Sequence, residues 1–302
     1  MLPKVTIGVC VRNSAKTISE TIESIIAQDY PHELMEVIFV DDGSEDETLA
    51  IIKRYASKMD MKVKIFHHEW KGLGYSRNVV VNNASGDYII WVDGDLILSA
   101  NYVATMVEFM ERNRDVAIAG GSYAILNQKS LIAFLDNVEY VAYRYRFGTN
   151  LPGTGGAIYR VEAIKKIGGF DKNIKGSGED LDIAYRVQIA GWSIARDIAP
   201  FYARSKKNWR ELWKHSIWHG FGAHYLVHKH SSILSLPRMS PLVIFAAGVL
   251  YSLLAYKLVK RKIVYLLPFQ MLFKNIGWWI GYIKSHIKKY GHISDAKEGQ
   301  EA

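Results

Sequence analysis

Asp93-Gly94-Asp95 places two carboxylates two residues apart at the end of an apolar run, a pairing that suits a hard divalent cation. Glycine between them lets both turn into one cleft and share the ion, directly or through water, with positions left open for a diphosphate. Two more acidic groups stand beside hydrophobic segments: Asp41-Asp42, and Glu179-Asp180 followed by Asp182. At the start of a helix such residues complement the positive end of the backbone dipole, so residue type alone leaves capping and chemistry both open. Cys10 is the single cysteine, which excludes an internal disulfide, and its position in an apolar run reads as core.

These residues need elements to hold them. Val5–Val11 reads as a strand, followed by a helical pattern through Ile18, Ile22, Ile25 and Ile26. Residues 37–40 form a second strand that ends in Asp41-Asp42-Gly43-Ser44. Ser44 and Glu47 have capping-box spacing, which predicts a helix through Ile51, Ile52 and Tyr55. A third strand is expected at 63–66, a helix from near Gly74, and a strand at 88–92 that delivers Asp93. Helical patterns follow at 103–110 and 131–145, separated by a strand at 116–119, and a helix carrying Ile183 and Val187 starts at Glu179. Strands alternating with helices predict an α/β fold with a mainly parallel sheet and flanking helices. In such sheets ligands bind at the carboxyl ends of strands, where two of the acidic groups stand.

The whole chain of 302 residues carries a net charge of +8, unevenly spread. Through Pro200 there are 22 Lys and Arg against 26 Asp and Glu; beyond it there are 16 against 4. The first part is mildly acidic and the tail strongly basic. Because the basic tail also holds the longest uncharged apolar stretch, its charge points to an anionic membrane surface ahead of a nucleic acid. The N-terminal residues lack the apolar core and cleavage site of a signal peptide.

Four sequence blocks in order carry a family resemblance: VTIGVCVRN with IIAQDYP, VIFVDDGSEDET, GLGYSRN through GDYIIWVDGD, and GTGGAIYR with IGGFD and GSGEDLDIAYRVQIAGW. Over residues 5–196 the chain resembles the family 2 glycosyltransferases of the GT-A fold, membrane-associated and inverting. The resemblance implies that Asp93 and Asp95 hold Mg²⁺ or Mn²⁺ on a nucleotide-sugar diphosphate. It places Asn13, Asp41, Asp42, Arg77, Asn78 and Asp93 around the nucleotide sugar, with Asp42 accepting from a base N–H, Cys10 bordering the same pocket and Arg77 near ribose or phosphate. Asp180 becomes the general base, with Glu179, Gly155 and Gly156 beside it or the acceptor. Small residues at Gly153-Thr154-Gly155-Gly156 would let backbone approach a sugar or diphosphate closely, and a plain turn uses them too.

The chain also departs from family patterns. Processive relatives carry Gln-x-x-Arg-Trp after the Glu-Asp block, whereas residues 214–219 here read KHSIWH. Where many relatives have a histidine that completes metal binding, this sequence has Phe201-Tyr202-Ala203-Arg204. Single-sugar transfer is therefore expected rather than polymerisation.

Seven of the ten histidines lie beyond residue 200, and His215/His219 and His224/His228 have helical i,i+4 spacing. Such pairs can hold zinc. With no carboxylate or cysteine alongside, and with Trp209, Trp213, Trp218 and Tyr225 interleaved with basic residues, an interfacial amphipathic helix is the expectation. Residues 239–256 are uncharged and mostly apolar, near the minimum for a bilayer span. A second segment at 263–283 is interrupted by Lys274, which costs about 2.5–3.5 kcal/mol at a span's centre. The expected organisation is a GT-A catalytic domain at 1–200, a basic amphipathic helical region at 201–238, apolar helices at 239–290, spanning as a hairpin or interfacial, and a disordered tail at 291–302.

The sequence thus predicts metal-dependent inverting transfer of one sugar, from a UDP- or GDP-sugar to a hydroxyl of a lipid-linked or membrane-proximal glycan, at the cytoplasmic face of the cell membrane. Membrane lipids are expected partners and nucleic acid is not. The rival readings are a polyprenyl- or dolichyl-phosphate glycosyltransferase, whose anionic acceptor needs little base assistance, and a noncatalytic adaptor that binds a nucleotide sugar at the membrane.

Overall fold

The computed structural model describes residues 2–125, 130–147, 153–174, 176–204, 208–230, 236–288 and 290. The chain forms two compact units: Met1–Leu126, Leu151–Lys175 and Glu179–Arg204 make the first, and Asn127–Asn150, Gly176–Gly178 and Ser205–Ala302 the second. In chain order the first unit carries β1 (Val5–Val11), α1 (Ile18–Ile26), β2 (Met35–Asp42), α2 (Thr48–Ala56), β3 (Lys62–His68), α3 (Leu73–Asn83), β4 (Tyr88–Trp91), β5 (Leu96–Leu98), α4 (Tyr102–Arg112), β6 (Val116–Ala119) and β7 (Ser122–Ile125). After α5 (Leu131–Phe147), which belongs to the second unit, it resumes with β8 (Ile158–Arg160), α6 (Val161–Lys166), α7 (Glu179–Ile189), β9 (Ser193–Ala195) and β10 (Pro200–Ala203).

Seven strands form one sheet in the order β3-β2-β1-β4-β8-β6-β9, parallel except for β8, which runs against both its neighbours. Val5, Ile7, Val9 and Val11 enter one core with Ile18, Ile22 and Ile25 of α1 and Tyr102, Val103 and Met106 of α4. Cys10, with Ile38, Val40, Ile89 and Trp91, enters a second core with Val80 and Val81 of α3 and Ile183 and Val187 of α7. Side chains alternate between faces, and both faces are covered, so these strands read as continuous apolar runs. Gly8 is the exception on β1: a Cβ there would lie 2.8 Å from the Trp91 ring, so the glycine makes room for the indole of the next strand.

The chain moves from β1 to β2 and β3 on one side and returns to β4 on the other. The crevice beyond the carboxyl ends of β1 and β4 is therefore the topological switch point, where open sheets of this kind bind ligands. Asn13 follows β1, Asp41 and Asp42 end β2, and Asp93 follows β4. A three-stranded sheet, β5-β10-β7, lies in the same unit, with Ala203 opposite Leu96.

One local expectation fails. The Ser44–Glu47 capping box does not form, and α2 starts at Thr48 without it. Ser44 Oγ instead accepts from the Asn13 N–H at 2.9 Å, while Asp46 Oδ1 accepts from the Thr48 N–H at 3.0 Å. Asp46 is nearer the helix and takes the capping role, which frees Ser44 to hold the turn after β1.

The second unit is helical: α5, α8 (Trp209–Lys229), α9 (Pro241–Val259) and α10 (Leu267–Ile287). The pattern at 131–145, expected within the first domain, is α5, and it joins the C-terminal helices because Phe134, Leu135 and Val138 share a core with Ala255, Val264 and Leu267. The boundary expected at residue 200 thus misses this earlier segment. The region expected to be interfacial at 201–238 contains a packed helix: Leu212, Ser216, Ala223, His224 and Leu226 of α8 are buried. A Cβ at Gly220 would lie 1.8 Å from the Trp278 carbonyl oxygen, and one at Gly281 would lie 2.0 Å from that of Ile217. Glycine lets the α8 and α10 backbones touch. Lys274 of α10 is matched rather than stranded, because its Nζ donates to Asp136 Oδ1 at 2.8 Å and Glu139 Oε2 at 3.1 Å, both on α5.

Among the described helices, α9 alone is long and apolar enough to cross a membrane, with 19 residues and a mean hydropathy of 2.0. Only 17% of its most apolar window is buried, which sets it apart from a core helix of similar composition. The tail expected to be disordered at 291–302 lies outside the described residues.

Candidate functional site

The turn after β4 is shaped by its central glycine. A Cβ on Gly94 would lie 2.8 Å from Val11 Cγ1 and 2.9 Å from Ser14 Oγ, so this position packs on the turn after β1. Asp93 and Asp95 flank it and both remain partly exposed. The turn closes through the Leu96 N–H, which donates to the Asp93 carbonyl at 3.0 Å. Two carboxylates on one tight turn are the oxygen donor set that a hard cation takes, so Asp93 and Asp95 fit Mg²⁺ or Mn²⁺. β10 pairs alongside, and the Arg204 N–H donates to the Asp95 carbonyl at 3.4 Å. The residue beside the pair is therefore an arginine, itself ion-paired with Glu20, and not a histidine.

The Gly153–Gly156 turn is stitched to the same strand end. The Gly156 N–H donates to the Trp91 carbonyl at 2.8 Å and the Trp91 N–H to the Ala157 carbonyl at 3.0 Å. A Cβ on Gly155 would lie 2.8 Å from Asp93 Oδ2, and one on Gly153 would lie 3.3 Å from Asp180 Oδ2. One glycine turn thus runs past both the cation-type carboxylate and the Asp180 carboxylate. Gly156 faces elsewhere: its φ is +71°, and its missing side chain makes room for Phe201 and Tyr102. Glycine at this position therefore shapes the turn.

Three carboxylates open α7, and they divide by partner. Asp182 is buried and accepts from Arg186 Nε at 2.9 Å; Arg186 also ties the helix to the Gly169 carbonyl. Glu179 is buried and lies 3.2 Å from Arg77 Nη2. Asp180 accepts from the Leu181 N–H at 2.8 Å, and the Arg77 charge also favours its ionised form. Burial raises the Asp180 carboxyl above the usual aspartate range, against the lowering effect of the Leu181 N–H. Burial likewise raises Glu179, opposed by Arg77. A half-buried carboxylate of raised basicity, facing a glycine turn, is suited to taking a proton.

Arg77 was expected near ribose or phosphate. It is only 3% exposed, 3.2 Å from Glu179 and 3.7 Å from Asp93, with its guanidinium over the rings of Trp91 and Phe170. It bridges the metal-type turn to the start of α7. Asn78 Nδ2 donates to the Phe170 carbonyl at 2.7 Å and its Oδ1 accepts from the Phe170 N–H at 2.8 Å. Each end of the amide makes one bond to the Phe170 backbone, so Asn78 anchors the segment before α7. Cys10 is core, with its thiol pushed up to about 12 by burial, opposed by Arg77.

Asn13, Asp41 and Asp42 gather at the ends of β1 and β2. Asn13 adopts a left-handed φ of 52°, and its Oδ1 accepts from the Glu45 N–H at 2.8 Å. Asp41 Oδ1 accepts from the Ser44 N–H at 3.0 Å, while its buried Oδ2 has no hydrogen bond and lies 3.3 Å from His67 Nδ1. Asp42 accepts from the Lys71 N–H at 2.7 Å and the Gly72 N–H at 3.0 Å, which fixes the loop leading into α3. Asp42 Oδ1 also lies 3.3 Å from His68 Nδ1, so Oδ2, with the Gly72 N–H alone on it, is the oxygen better placed to accept from a further donor.

Sequence reasoning passed over the floor beneath these groups. Trp91, Tyr159 and Phe170 pack ring against ring, with Tyr159 stacked on Phe170 at 6.1 Å and Trp91 edge-on to both. The Tyr159 hydroxyl is buried without a hydrogen bond. Three aromatics far apart in sequence look like ordinary core residues, so no local signal marks them.

The glycosyl transferase family 2 description matches residues 6–168, and glycosyl transferase family group 2 matches residues 88–283. The putative glycosyltransferase EpsE of Bacillus subtilis is 33% identical over 127 residues, covering 42% of this chain and 45% of that protein. The poly(ribitol-phosphate) beta-N-acetylglucosaminyltransferase TarS of Staphylococcus aureus is 34% identical over 116 residues, covering 38% of this chain and 20% of TarS. The chain thus spans less than half the length of either curated relative. A mannosyltransferase from Pyrobaculum calidifontis, solved with GDP-Man and Mn²⁺, shares the fold with a TM-score of 0.66 at 20% identity, over 94% of this chain and 88% of that one.

Proposed function

The chain belongs to glycosyltransferase family 2, and from that premise we propose that it transfers one sugar from a nucleotide-diphosphate donor, with inversion, to a hydroxyl on a lipid-linked or membrane-proximal glycan. The observation that carries this reading is the glycine turn at 153–156, which runs past both Asp93 and Asp180. It supports a donor diphosphate and a proton acceptor within one cleft at the sheet's switch point. Asp93 and Asp95 would hold Mg²⁺ or Mn²⁺, which when bound supplies charge stabilisation to the departing diphosphate. The acceptor oxygen attacks the sugar C1 from the face opposite the diphosphate, the C1–O bond breaks, and the nucleoside diphosphate departs. Asp180 takes the hydroxyl proton, and its burial favours that uptake. Arg77 balances Glu179 and Asp93 and orients the two sides of the cleft.

Among the proteins compared, a guanosine donor is bound by the Pyrobaculum enzyme, and a uridine donor by TarS. Both belong in the test. The exposed apolar surface of α9 supports attachment to the cytoplasmic leaflet, with basic residues between 204 and 238 held on that side. The deciding experiment incubates the purified chain and a native lipid extract with labelled UDP- and GDP-sugars, with and without Mn²⁺. Label should enter the organic phase, depend on Mn²⁺, and disappear in Asp95→Ala and Asp180→Ala variants that remain folded. Full activity in both variants would sink the mechanism. A product carrying one sugar directly on a lipid phosphate, formed with little dependence on Asp180, would instead favour the polyprenyl-phosphate reading.

A further inference from the structure

We propose that His224, His228 and His286 form a second metal site in the helical unit, a three-imidazole centre for a zinc-class divalent cation, separate from the carboxylate pair at Asp93 and Asp95. His224 and His228 stand one turn apart on α8, and α10 supplies the third ligand. His228 Nε2 and His286 Nδ1 each lie 3.1 Å from His224 Nε2, and one ligand atom from each ring falls within 4.8 Å of the other two. A tetrahedral zinc ion with Zn–N bonds of about 2.0–2.1 Å sets its nitrogens ~3.3 Å apart, so small ring rotations suffice to admit it.

The protonation pattern points the same way. His224 is fully buried, and its Nδ1 lies 2.7 Å from the Tyr290 carbonyl oxygen. A carbonyl can only accept, so Nδ1 carries the proton and Nε2 presents a lone pair to the other two rings. An imidazole fixed by a backbone carbonyl on its far nitrogen is the usual outer arrangement of a metal-bound histidine. Tyr290 is itself held by Phe221, whose ring stacks on it at 5.0 Å, and by Tyr225. The edge of Tyr282 closes another side of His224.

Helix packing explains why three rings converge here. The close approach at Gly220 and Gly281 brings α8 and α10 into backbone contact, which leaves the histidines beyond that contact facing one another. His228 and His286 are exposed, so a cation has an entry path. Neutral nitrogen donors favour zinc and its later-transition-metal neighbours over magnesium or calcium. The other pair, His215 and His219, has its Nε2 atoms 3.1 Å apart but gathers no third metal ligand among the described residues. With three protein ligands the site at His224 keeps one position open, and its position ties the C-terminal turn of α8 to that of α10.

The test uses the full chain without a histidine tag, purified in detergent, stripped with chelator and loaded with Zn²⁺ or Co²⁺. Elemental mass spectrometry should find one zinc per chain, and cobalt should give the visible absorption of tetrahedral nitrogen coordination. His228→Gln and His286→Gln change exposed residues; each should bind zinc at least about tenfold more weakly while keeping the wild-type circular dichroism spectrum. Asp95→Asn should retain the zinc, which separates this result from the fate of the transferase reading. Substoichiometric zinc in the wild type, zinc retained at full affinity in His286→Gln, or zinc lost in Asp95→Asn would each overturn the proposal.

Discussion

The acidic cleft of the first unit and the histidine-bearing helices of the second gather their chemistry by different rules. In the cleft, the sheet delivers each group at a strand end: Asn13 after β1, Asp41 and Asp42 at the end of β2, Asp93 after β4. The backbone ladder fixes where those ends fall, so a short apolar run followed by an acidic residue already specifies the position. In the helices, side chains distant in sequence meet through packing between helices, which for α8 and α10 runs through glycine contacts. The cleft therefore resists change in its scaffold and is sensitive at single carboxylates. The helical unit depends on matched partners from different helices.

The sharpest test of that contrast is Asp180→Asn. It removes the proton acceptor while keeping volume and the Leu181 contact, so kcat should fall by about 10²–10⁴-fold with the donor KM changed only slightly. Steady-state rates across donor concentration would read both, and an unchanged kcat would remove Asp180 from the chemistry. The pH profile gives the sign independently. The base works ionised, so lowering pH through its pKa extinguishes activity. Because burial raises that pKa, the acid limb of kcat/KM should lie above the ordinary aspartate value of about 3.9. In Asp180→Asn that limb should vanish.

The next largest effect tests the glycine turn. Gly155→Ala introduces a Cβ 2.8 Å from Asp93 Oδ2, too close to tolerate without moving the carboxylate. A displacement approaching 1 Å costs on the order of 10²-fold in rate. Gly153→Ala meets Asp180 Oδ2 at 3.3 Å, a contact that a small shift relieves, so its loss should be clearly smaller. Rates of the two variants side by side decide the matter: equal losses would mean the turn acts by general flexibility and not by these contacts. In the helical unit, Lys274→Met leaves Asp136 and Glu139 facing each other without their cation. Because all three groups keep some solvent, the expected cost is about 1–3 kcal/mol, read as a lower midpoint in thermal or urea unfolding. Replacing Asp136 by Asn in the same chain should recover part of it.

Legibility followed the same division. The strands and acidic ends of the first unit were readable because period-2 burial on two covered faces leaves uninterrupted apolar runs. What local pattern concealed was partnership. Arg77 and Asn78 sit in a motif that reads as ligand-facing, and nothing in it shows that Glu179 and Asp93 partner the first and the Phe170 backbone the second. Ser44 and Glu47 had capping spacing, but Asp46 stood closer to the helix end. Lys274 read as an obstacle in an apolar segment because its two carboxylates lie on α5, more than a hundred positions away. His286 was invisible as a partner of His224 for the same reason. Spacing reports contacts within one element, and contacts between elements depend on packing that no single window contains.

The smallest expected structural effect separates the two units most cleanly. On α9, Leu250 is 66% exposed and Leu253 50%, so neither contributes much to the core. Changing both to Gln should leave the unfolding midpoint within the ±0.5 kcal/mol typical of surface positions. If that face meets lipid, however, the lost apolar area is worth at least 1.4 kcal/mol, or about tenfold in partitioning, by the usual area coefficient. Co-flotation with vesicles containing anionic lipid would measure this directly, with transferase rate on a soluble acceptor as a control. Unchanged flotation would mean the exposed leucines do not face the bilayer, and a lowered midpoint would mean they are covered by protein instead. Weaker flotation with unchanged stability and chemistry would assign attachment to the helices and leave catalysis to the carboxylates at the strand ends.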